Sequence, residues 1–357
     1  MENLATPYSN LKIFAHPEKL QKIADHKRTA PLYIRIKPTN KCNHNCNYCH
    51  YASGQYLDLE GQENRNQIPW EKMNEIIGDM ADMGVKAVTF SGGGEPLLYP
   101  DIIRAMQMII DNNIDLSVIT NGYFLKDKVA ELLARAKWVR ISLDAGSPET
   151  YAQTRGILLE SFSRVCTNIE KFALLKGKDC ELGINFVVNR ENADEIYLAG
   201  KLMHDLGVNH IKYTARMTND VDEYHKEIKE RVIEQIHRVK DEFQSQRFSV
   251  INLYESDFDL CAVFQRQYSN CVMKEIVTVI AADCKVYYCH DKAYLKNGII
   301  GDLNDRSFKE VWFSKETDDK FRRFDASKEC QHHCVYDDRN ILLNTFLSLN
   351  KNHINFI

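Results

Sequence analysis

Three cysteines lie in one short segment near the start of the chain: Cys42, Cys46 and Cys49. A loop that carries three thiolates can bind a metal centre, and thiolates suit zinc or an iron–sulfur cluster. In a cubane cluster, three protein ligands leave one iron open. A structural zinc ion takes a fourth protein ligand, and His44 and His50 are near enough in sequence to supply it. Both kinds of site remain open at this point.

The chain has 11 cysteines among its 357 residues. Residues 1–8 lack the basic and apolar layout of a secretion signal, and the odd count argues against a complete disulfide framework. No apolar run approaches the length of a membrane span. The net charge of −4 gives no electrostatic reason to expect nucleic acid or a membrane as a partner. We therefore predict a cytoplasmic protein whose reduced cysteines are free to bind metal.

Segments typical of strands and helices alternate over much of the chain. The predicted strands are 32–37, 87–90, 116–120, 138–143, 182–188 and 210–213, and the predicted helices are 69–84, 102–110, 129–136, 162–175, 193–206 and 221–243. This alternation implies a parallel sheet with right-handed crossovers, either open or curved into a barrel.

Chemically distinctive residues follow the ends of these strands. The cysteine loop follows the first strand, Ser91-Gly-Gly-Gly-Glu-Pro96 the second, Asn121-Gly122 the third and Asp144-Ala145-Gly146 the fourth. The carboxyl ends of parallel strands lie at one edge of a sheet or barrel. We therefore expect these four segments to form one active-site mouth.

The pattern changes after about residue 247, where the helical periodicity weakens. A hairpin is predicted from 276–280 and 285–288, and most of the remaining cysteines lie in this part. We divide the chain into an N-terminal extension over 1–31, an α/β barrel over 32–246 and a small α+β domain over 247–357.

The first cysteines and the glycine run together resemble the radical S-adenosylmethionine (SAM) superfamily. That family carries C-x3-C-x-aromatic-C after its first barrel strand, and Tyr48 fills the aromatic position. The resemblance covers about residues 30–215 and implies a partial (β/α)6 TIM-like barrel. It also implies one [4Fe–4S] cluster on the three cysteines, whose open iron chelates the amino and carboxylate groups of SAM.

The glycine run resembles the GGE motif of the same family. In that motif, glycines let the backbone approach the ligand, and the carboxylate meets the methionyl ammonium of SAM. The matching residues are Gly92, Gly93, Gly94 and Glu95.

Three further polar residues are assigned to SAM binding by the resemblance. Asn121 ends the third strand and points to the same mouth. Ser142 resembles the family's polar contact to the SAM ribose, and Arg155 stands where members often place an arginine near the SAM carboxylate. A purely structural role, as a turn, cap or surface charge, stays open for each of them.

The C-terminal cysteines resemble the twitch domain, the short form of the SPASM extension, which binds one auxiliary [4Fe–4S] cluster. On that resemblance the ligands are four thiolates: Cys271, Cys289, Cys330 and Cys334. A zinc ion is the alternative, because four-thiolate sites suit either metal.

Cys284 departs from the twitch pattern, because the family has a glycine at this position. Three roles are open to it: a cluster ligand, a hydrogen-atom donor to a substrate radical, or a passive turn residue. The donor role would make it a catalytic residue and predicts an epimerised product.

These resemblances imply a reaction. The reduced first cluster passes an electron to SAM, which splits into methionine and a 5′-deoxyadenosyl radical, and the radical takes a hydrogen atom from an unactivated C–H bond. An auxiliary cluster favours oxidation, so we expect dehydrogenation or epimerisation of a small polar, carbohydrate-like molecule. The electron comes from a partner such as flavodoxin or ferredoxin. A peptide-modifying radical SAM enzyme and a non-catalytic iron–sulfur or zinc protein are the alternatives.

Overall fold

The computed structural model describes residues 9–51, 66–218, 220–256, 265–350 and 352–355. Within these ranges the strands are β1 (Tyr33–Ile36), β2 (Ala87–Phe90), β3 (Asp115–Thr120), β4 (Trp138–Ser142), β5 (Glu181–Val188), β6 (His210–Ala215), β7 (Ser249–Asn252), β8 (Val277–Ile280), β9 (Lys285–Tyr287) and β10 (Ile299–Asp302).

The helices flank these strands. They are α1 (Pro17–Ala24), α2 (Trp70–Met83), α3 (Ile102–Asp111), α4 (Asp127–Leu133), α5 (Pro148–Arg155), α6 (Glu160–Leu175), α7 (Ile196–Asp205), α8 (Val221–His225), α9 (Lys229–Phe243), α10 (Phe308–Trp312), α11 (Lys315–Arg323), α12 (Ala326–Glu329) and α13 (Asp337–Leu347). In the described part of the chain, no helix combines the length and apolar character needed to cross a bilayer.

The strands form one sheet in the order β10-β9-β8-β1-β2-β3-β4-β5-β6-β7. Strands β1 to β7 pair in parallel with their neighbours. Strand β8 pairs in parallel with the other side of β1, and β9 and β10 continue antiparallel. Over the described residues the sheet does not close, because β7 and β10 are its two edges. The predicted α/β fold with a partial barrel is confirmed.

All six predicted strands are present, and so is the predicted hairpin, formed by β8 and β9. The sequence pattern missed β7, because only one of its four residues is buried. It also missed α5, whose apolar periodicity is weak. The helix predicted over 221–243 is two helices, α8 and α9. Since β7 lies beyond residue 247 and pairs with β6, the parallel sheet extends into the predicted second domain, and the domain division itself stays a prediction.

The two faces of the sheet differ in polarity. One face packs into the main hydrophobic core through alternate buried residues, among them Ile34, Ile36, Val88, Phe90, Val118, Val139 and Ile141. Side chains alternate along a strand, so the opposite face, here named the inner face, carries the polar positions Tyr33, Arg35, Thr89, Ser117, Arg140 and Ser142. The Tyr33 hydroxyl donates to Thr89 Oγ1 at 2.7 Å, and the Thr89 and Ser117 hydroxyls lie 2.6 Å apart. A polar inner face leads to the strand ends where the candidate site lies.

Candidate active site

The cysteine loop rests on the end of α5. The backbone N–H of Asn45 donates to the Arg155 carbonyl at 2.9 Å, and that of Asn47 donates to the Thr154 carbonyl at 3.1 Å. Gly156 follows with φ +56°, and a Cβ there would lie 2.4 Å from the Asn45 carbonyl oxygen. Position 156 therefore favours glycine, both because φ is positive and because a Cβ would have no space. The cysteine loop packs against the end of α5, a helix that the sequence pattern missed.

A buried ion pair holds the same loop from the end of β4. Arg155 Nη2 pairs with Asp144 Oδ2, and the Tyr48 hydroxyl donates to that same carboxylate oxygen. The other oxygen of Asp144 accepts from the backbone N–H of Val187 at 2.6 Å. Arg155 Nη1 lies 3.6 Å from Cys46 Sγ. The predicted residues Tyr48 and Arg155 are thus brought to the cysteine loop by Asp144, which the sequence analysis placed at the mouth but gave no role.

Burial and charge act in opposite directions on the thiols of this loop. Burial raises the pKa of Cys46, and the Arg155 guanidinium opposes that shift. Burial also raises the pKa of Cys42 to about 12. Bound metal deprotonates a thiol, so a cation in contact with Cys46 favours the ligating form.

Glu95 is buried and held by three donors. Its Oε1 accepts from Thr120 Oγ1 at 2.6 Å and from the Leu97 N–H at 3.1 Å, and its Oε2 accepts from the Asn121 N–H at 2.8 Å. Burial raises the pKa of Glu95 to about 7, although these hydrogen bonds favour the charged form. A nearby cation, such as the methionyl ammonium of SAM, would favour the carboxylate.

The glycine run packs against the segment that enters the cysteine loop. The Gly94 N–H donates to the Thr39 carbonyl at 3.0 Å. A Cβ on Gly93 would lie 2.1 Å from Asn40 Oδ1, and one on Gly94 would lie 2.1 Å from the Lys41 carbonyl oxygen. Gly94 therefore permits a close backbone–backbone approach, and Gly93 leaves room for the Asn40 side chain. Gly92 lies in the same turn, where a Cβ would lie 2.2 Å from the Gly94 carbonyl oxygen.

Asn121 and Ser142 lie at the ends of neighbouring strands. Asn121 is buried, its Nδ2 donates to Asn43 Oδ1 in the cysteine loop at 2.9 Å, and its Oδ1 accepts from the Tyr123 N–H at 3.0 Å. Ser142 is half-buried on the inner face, in register with Asn185 of β5. Asn121 therefore positions the loop directly, while Ser142 lies on the surface that faces the mouth.

The four predicted auxiliary cysteines line one small cavity: Cys271, Cys289, Cys330 and Cys334. They come from a turn before β8, the end of β9 and the segment after α12. Burial raises the pKa of Cys289 well above its ordinary value, and the neighbouring Asp291 and the other three thiols add to that shift. Four thiols around a cavity are a donor set suited to an iron–sulfur cluster.

Cys284 lies outside that cavity. It occupies the β8–β9 turn at φ +57° and is buried in the main hydrophobic core. Its N–H donates to the Ala281 carbonyl at 2.9 Å, and its carbonyl accepts from the Leu303 N–H at 2.8 Å. Burial raises the pKa of its thiol to about 11. This placement favours the passive turn role over the ligand and donor roles, and all three stay predictions.

Lys37 directly follows β1 and is buried. Its buried Nζ donates to the Tyr51 hydroxyl and lies 4.1 Å from the centre of the Tyr51 ring. Burial lowers the pKa of Lys37 well below its ordinary value, whereas the thiols of Cys289 and Cys49 oppose that shift. Lys37 is thus close enough to one thiol of each group to interact with both.

The pKa of the His290 side chain is affected by several neighbouring basic groups. Its ring Nδ1 is buried without a hydrogen-bond partner in the described residues. Burial lowers the pKa of His290 well below its ordinary value, and Lys37, Arg35, His50 and Arg140 lower it further. Of these four groups, Arg35 and Arg140 are guanidinium ions that stay charged, so permanent positive charge lies near His290.

Two family models match the chain. One, described as the radical SAM superfamily, matches residues 36–203, and the other, described as an iron–sulfur cluster-binding SPASM domain, matches residues 271–335. The chain therefore carries a radical SAM domain and an iron–sulfur cluster-binding SPASM domain. The predicted cofactors, SAM and [4Fe–4S] clusters, are confirmed by the same matches.

Individual relatives agree with this family. A protein from Saccharolobus islandicus named "Probable GTP 3′,8-cyclase" is 34% identical over 50% of this chain and 54% of its own length. A GTP 3′,8-cyclase from Limosilactobacillus fermentum is 30% identical over 58% of this chain and 61% of its own length. The chain thus spans little more than half the length of these curated relatives.

Solved radical SAM structures share the fold. Streptococcus suis SuiB, bound to the precursor peptide SuiA, superposes with a TM-score of 0.62 at 19% identity, over 90% of this chain and 73% of SuiB. The protein anSMEcpe with bound AdoMet superposes with a TM-score of 0.59 at 17% identity, over 89% of this chain and 97% of its own.

The donors present in this radical SAM protein fit the two clusters. Three thiols share the loop after β1, with a cation against one of them, and four thiols surround the cavity in the SPASM-matched region. Among the described residues, no three His, Cys, Asp or Glu side chains are grouped as one metal ion requires. His44, considered above as a zinc ligand, packs edge-on against the Tyr151 ring, with 5.9 Å between ring centres. The ligand role of each named cysteine stays a prediction.

Proposed function

We propose that this protein is a radical SAM enzyme that oxidises or epimerises a small polar substrate held between its two cysteine sites. The carrying observation is the position of Lys37, which donates to the Tyr51 hydroxyl two residues after Cys49 and lies 5.5 Å from the centre of the Tyr294 ring five residues after Cys289. A substrate in the space around Lys37 would lie beside SAM on one side and the auxiliary site on the other. Short distances between the reacting groups favour both hydrogen abstraction and electron transfer.

The first cluster, when bound and reduced, supplies the one-electron chemistry that cleaves SAM. Cys42, Cys46 and Cys49 would hold that cluster, and Arg155 and Asp144 would fix their loop. Glu95 would accept a hydrogen bond from the methionyl ammonium through Oε2, which accepts from the Asn121 N–H and has a lone pair left for a second donor.

The remaining polar groups at the mouth would orient SAM. Ser142 on the inner face is placed for the ribose, and the tight packing of Gly92, Gly93 and Gly94 fixes the position of Glu95. Asn121 would hold the cysteine loop, and Tyr48 would fix it through the buried Asp144 carboxylate.

Two outcomes are compatible with a second cluster. In dehydrogenation, the substrate would give one hydrogen atom to form 5′-deoxyadenosine and one proton to solvent, and a cluster on the four C-terminal cysteines would be the acceptor for the remaining electron. In epimerisation, the substrate would lose one hydrogen atom to form 5′-deoxyadenosine and regain another on the opposite face from a donor group that exchanges its hydrogen with solvent. The buried position of Cys284 in the hydrophobic core disfavours it as that second donor.

The relatives add one candidate substrate. The cyclases named above act, by their printed name, on GTP, and the similarity extends over about half of this chain. GTP therefore belongs in a substrate panel with small polyols and amino sugars. A peptide substrate also belongs there, as the alternative from the sequence.

Anaerobic product analysis in deuterated buffer tests the proposal. The cluster-loaded protein with SAM and dithionite should form 5′-deoxyadenosine, and a true substrate should increase its yield. Deuterium in recovered substrate indicates epimerisation, and a product two hydrogens lighter indicates dehydrogenation. Protein with full iron content that forms no 5′-deoxyadenosine would contradict the proposal and favour a non-catalytic cluster protein.

A further inference from the structure

Two arginines stand on the inner face of the sheet without an ion-pair partner in the described residues. Arg35 lies on β1, and its Nε donates to the Tyr33 hydroxyl at 3.0 Å. Arg140 lies on β4, and its Nε is buried with no hydrogen-bond partner in the described part of the chain. Buried donors are nearly always paired, and an unpaired one is costly. The Arg140 guanidinium also lies 5.8 Å from the centre of the Trp138 ring, a contact that leaves its Nε–H without a hydrogen-bond acceptor among the described residues.

Arg35 and Arg140 lie on the same face of the sheet, on strands three apart. Arg35 is in register with Thr89 of β2, which is in register with Ser117 of β3. Arg140 is in register with Ile119, two residues beyond Ser117. The hydroxyls of Thr89 and Ser117, which bond to each other at 2.6 Å, thus lie between the two arginines across the inner face.

Lys37 follows Arg35 by two residues, and its N–H continues the pairing with β8 by donating to the Ile280 carbonyl at 2.8 Å, so its side chain leaves the same face as that of Arg35. One carboxylate is also in reach: Asp291 acts on both Arg35 and Lys37. Its Oδ2 accepts from the Val335 N–H at 3.3 Å. Two guanidinium groups and one carboxylate therefore act on this space in a chain whose overall net charge is −4, so there is a local excess of positive charge.

The proposed cluster thiols have cations of their own. Arg155 acts on Cys46, Lys274 acts on Cys271, and Lys292 and Arg266 act on Cys330. Arg140 is not among these cations. The groups that a planar guanidinium binds best are oxyanions, through two parallel hydrogen bonds.

We propose that Arg35 and Arg140 form the receptor for an oxyanion group of the substrate, with Thr89, Ser117 and Lys37 around it. The inference rests on the proposed function, because it assigns the chemical class of that substrate: a small molecule that carries a carboxylate or a phosphate. The anionic group would sit on the inner face and direct the rest of the molecule toward the mouth at the strand ends.

Calorimetric titration of the anaerobic, cluster-loaded protein with SAM bound tests this inference. The probes are inorganic pyrophosphate, succinate and the neutral polyol myo-inositol. At least one of the two anions should bind, and the polyol should not. The anion with the higher affinity indicates whether the substrate carries a phosphate or a carboxylate. Arg140→Gln should weaken anion binding by about ten- to a hundredfold, since a hydrogen bond to a charged group is lost. Arg140→Lys should bind with intermediate affinity, because a point charge cannot make two parallel bonds.

Arg135→Gln is the matched control, because it removes the same charge from an exposed position outside the sheet, and its anion affinity should equal that of the wild type. Arg35→Gln provides a second variant if Arg140→Gln does not fold, and the same loss is expected. Equal anion affinity in wild type and folded Arg-to-Gln variants, or no anion binding by wild type, would overturn the inference. Loss of iron from a folded Arg140→Gln protein would also overturn it, by assigning the arginine to a cluster.

SAM cleavage is measured in the same preparations and separates the two proposals. If wild-type protein cleaves SAM but binds neither anion, the proposed function stands and the anion receptor is wrong. If wild-type protein carries its iron and binds an anion through Arg140 but never cleaves SAM, the anion receptor stands and the proposed enzymatic function is wrong.

Discussion

The two groups of cysteines are assembled in different ways. Cys42, Cys46 and Cys49 share one loop, so their spacing is fixed locally, and contacts from the ends of β2, β3 and β4 hold that loop in place. The four C-terminal cysteines come from segments before β8, after β9 and after α12, and they meet only when those segments have packed together.

This difference separates two kinds of metal site. At the first site, the spacing of the ligands is set by the sequence of one loop, and the rest of the protein orients that loop toward SAM. In the second, the fold itself brings the ligands together, so that metal binding and folding are coupled. Changes at the first site should therefore affect chemistry most, and changes at the second should affect stability as well as iron content.

The largest effect is expected from Cys46→Ala. This change removes the thiol that Arg155 contacts and leaves two cysteines on the loop, too few to hold a cubane with one open iron. Formation of 5′-deoxyadenosine should fall to background after anaerobic reconstitution, as measured by chromatography. SAM cleavage at the wild-type rate would mean that the first site lies elsewhere.

A triple Cys42/Cys46/Cys49→Ala variant sharpens the comparison. If each site holds one [4Fe–4S] cluster, iron and sulfide should fall from about eight to about four per chain, and the fold should persist because the second group is untouched. Iron analysis and circular dichroism measure these two quantities. A triple variant that holds zinc and no iron would make the C-terminal site a zinc site.

Asp144→Asn tests the support of the first loop. Arg155 would keep its charge in a buried position without a carboxylate, and breaking such a pair costs about 3 kcal/mol or more. We expect a lower urea midpoint and weaker SAM binding, because Tyr48 and Arg155 both lose an anchor. Asp205→Asn is the control, since Asp205 forms an exposed pair with Lys201 and should hardly matter. Equal midpoints for both variants would show that the buried network does not hold the loop.

Glu95→Gln should change how stability depends on pH. The pKa of Glu95 is about 7 in the folded protein against an ordinary 4.5. The unfolded chain therefore releases this proton at lower pH than the folded chain, and wild-type stability falls as pH rises from 4.5 to about 7. The Gln variant lacks this slope, a difference on the order of 3 kcal/mol at most. Urea midpoints without SAM at several pH values measure it, and parallel curves for the two proteins would contradict it.

The smallest effect is expected from Cys284→Gly. At φ +57° a non-glycine residue is strained by roughly 1–2 kcal/mol, and glycine would relieve that strain while losing some buried surface. The net change in stability should be within about 1 kcal/mol, with iron content unchanged. Cys284→Ala keeps the strain and should be the less stable of the two. Loss of iron in either variant would make Cys284 a ligand, and a changed product would make it a hydrogen donor.

Much of the fold followed from the sequence because the strands have strong patterns. Segments such as 87–90 and 182–188 are apolar, bounded by turn residues and separated by helical periodicity. Strand β7 has a single buried residue, and the pairing of β8 with β1 links positions more than two hundred residues apart, so neither leaves a local signal. The Ser147 cap and Pro148 at the start of α5 were signals that could have revealed that helix.

The site divides in the same way. Cys42, Cys46 and Cys49 were recognisable from spacing, and Glu95 from its glycine run. The role of Asp144 depends on Tyr48 and Arg155 reaching it from different segments, which spacing does not encode. Its place directly after a predicted strand was the available hint. The inner-face arginines were missed because an arginine in a predicted strand is expected to be exposed to solvent. Its burial depends on how the sheet curves, which the sequence pattern does not predict.

The position of β1 between β2 and β8 has a consequence for biosynthesis. Strand β1 is made first, yet its second neighbour emerges only with Val277–Ile280. A nascent chain that has reached β7 therefore presents β1 as a free edge, directly before the loop with the first three cysteines. Open edges invite pairing with other chains. A chain cut near residue 247 would keep that edge permanently, so an isolated barrel should aggregate unless β8 is supplied.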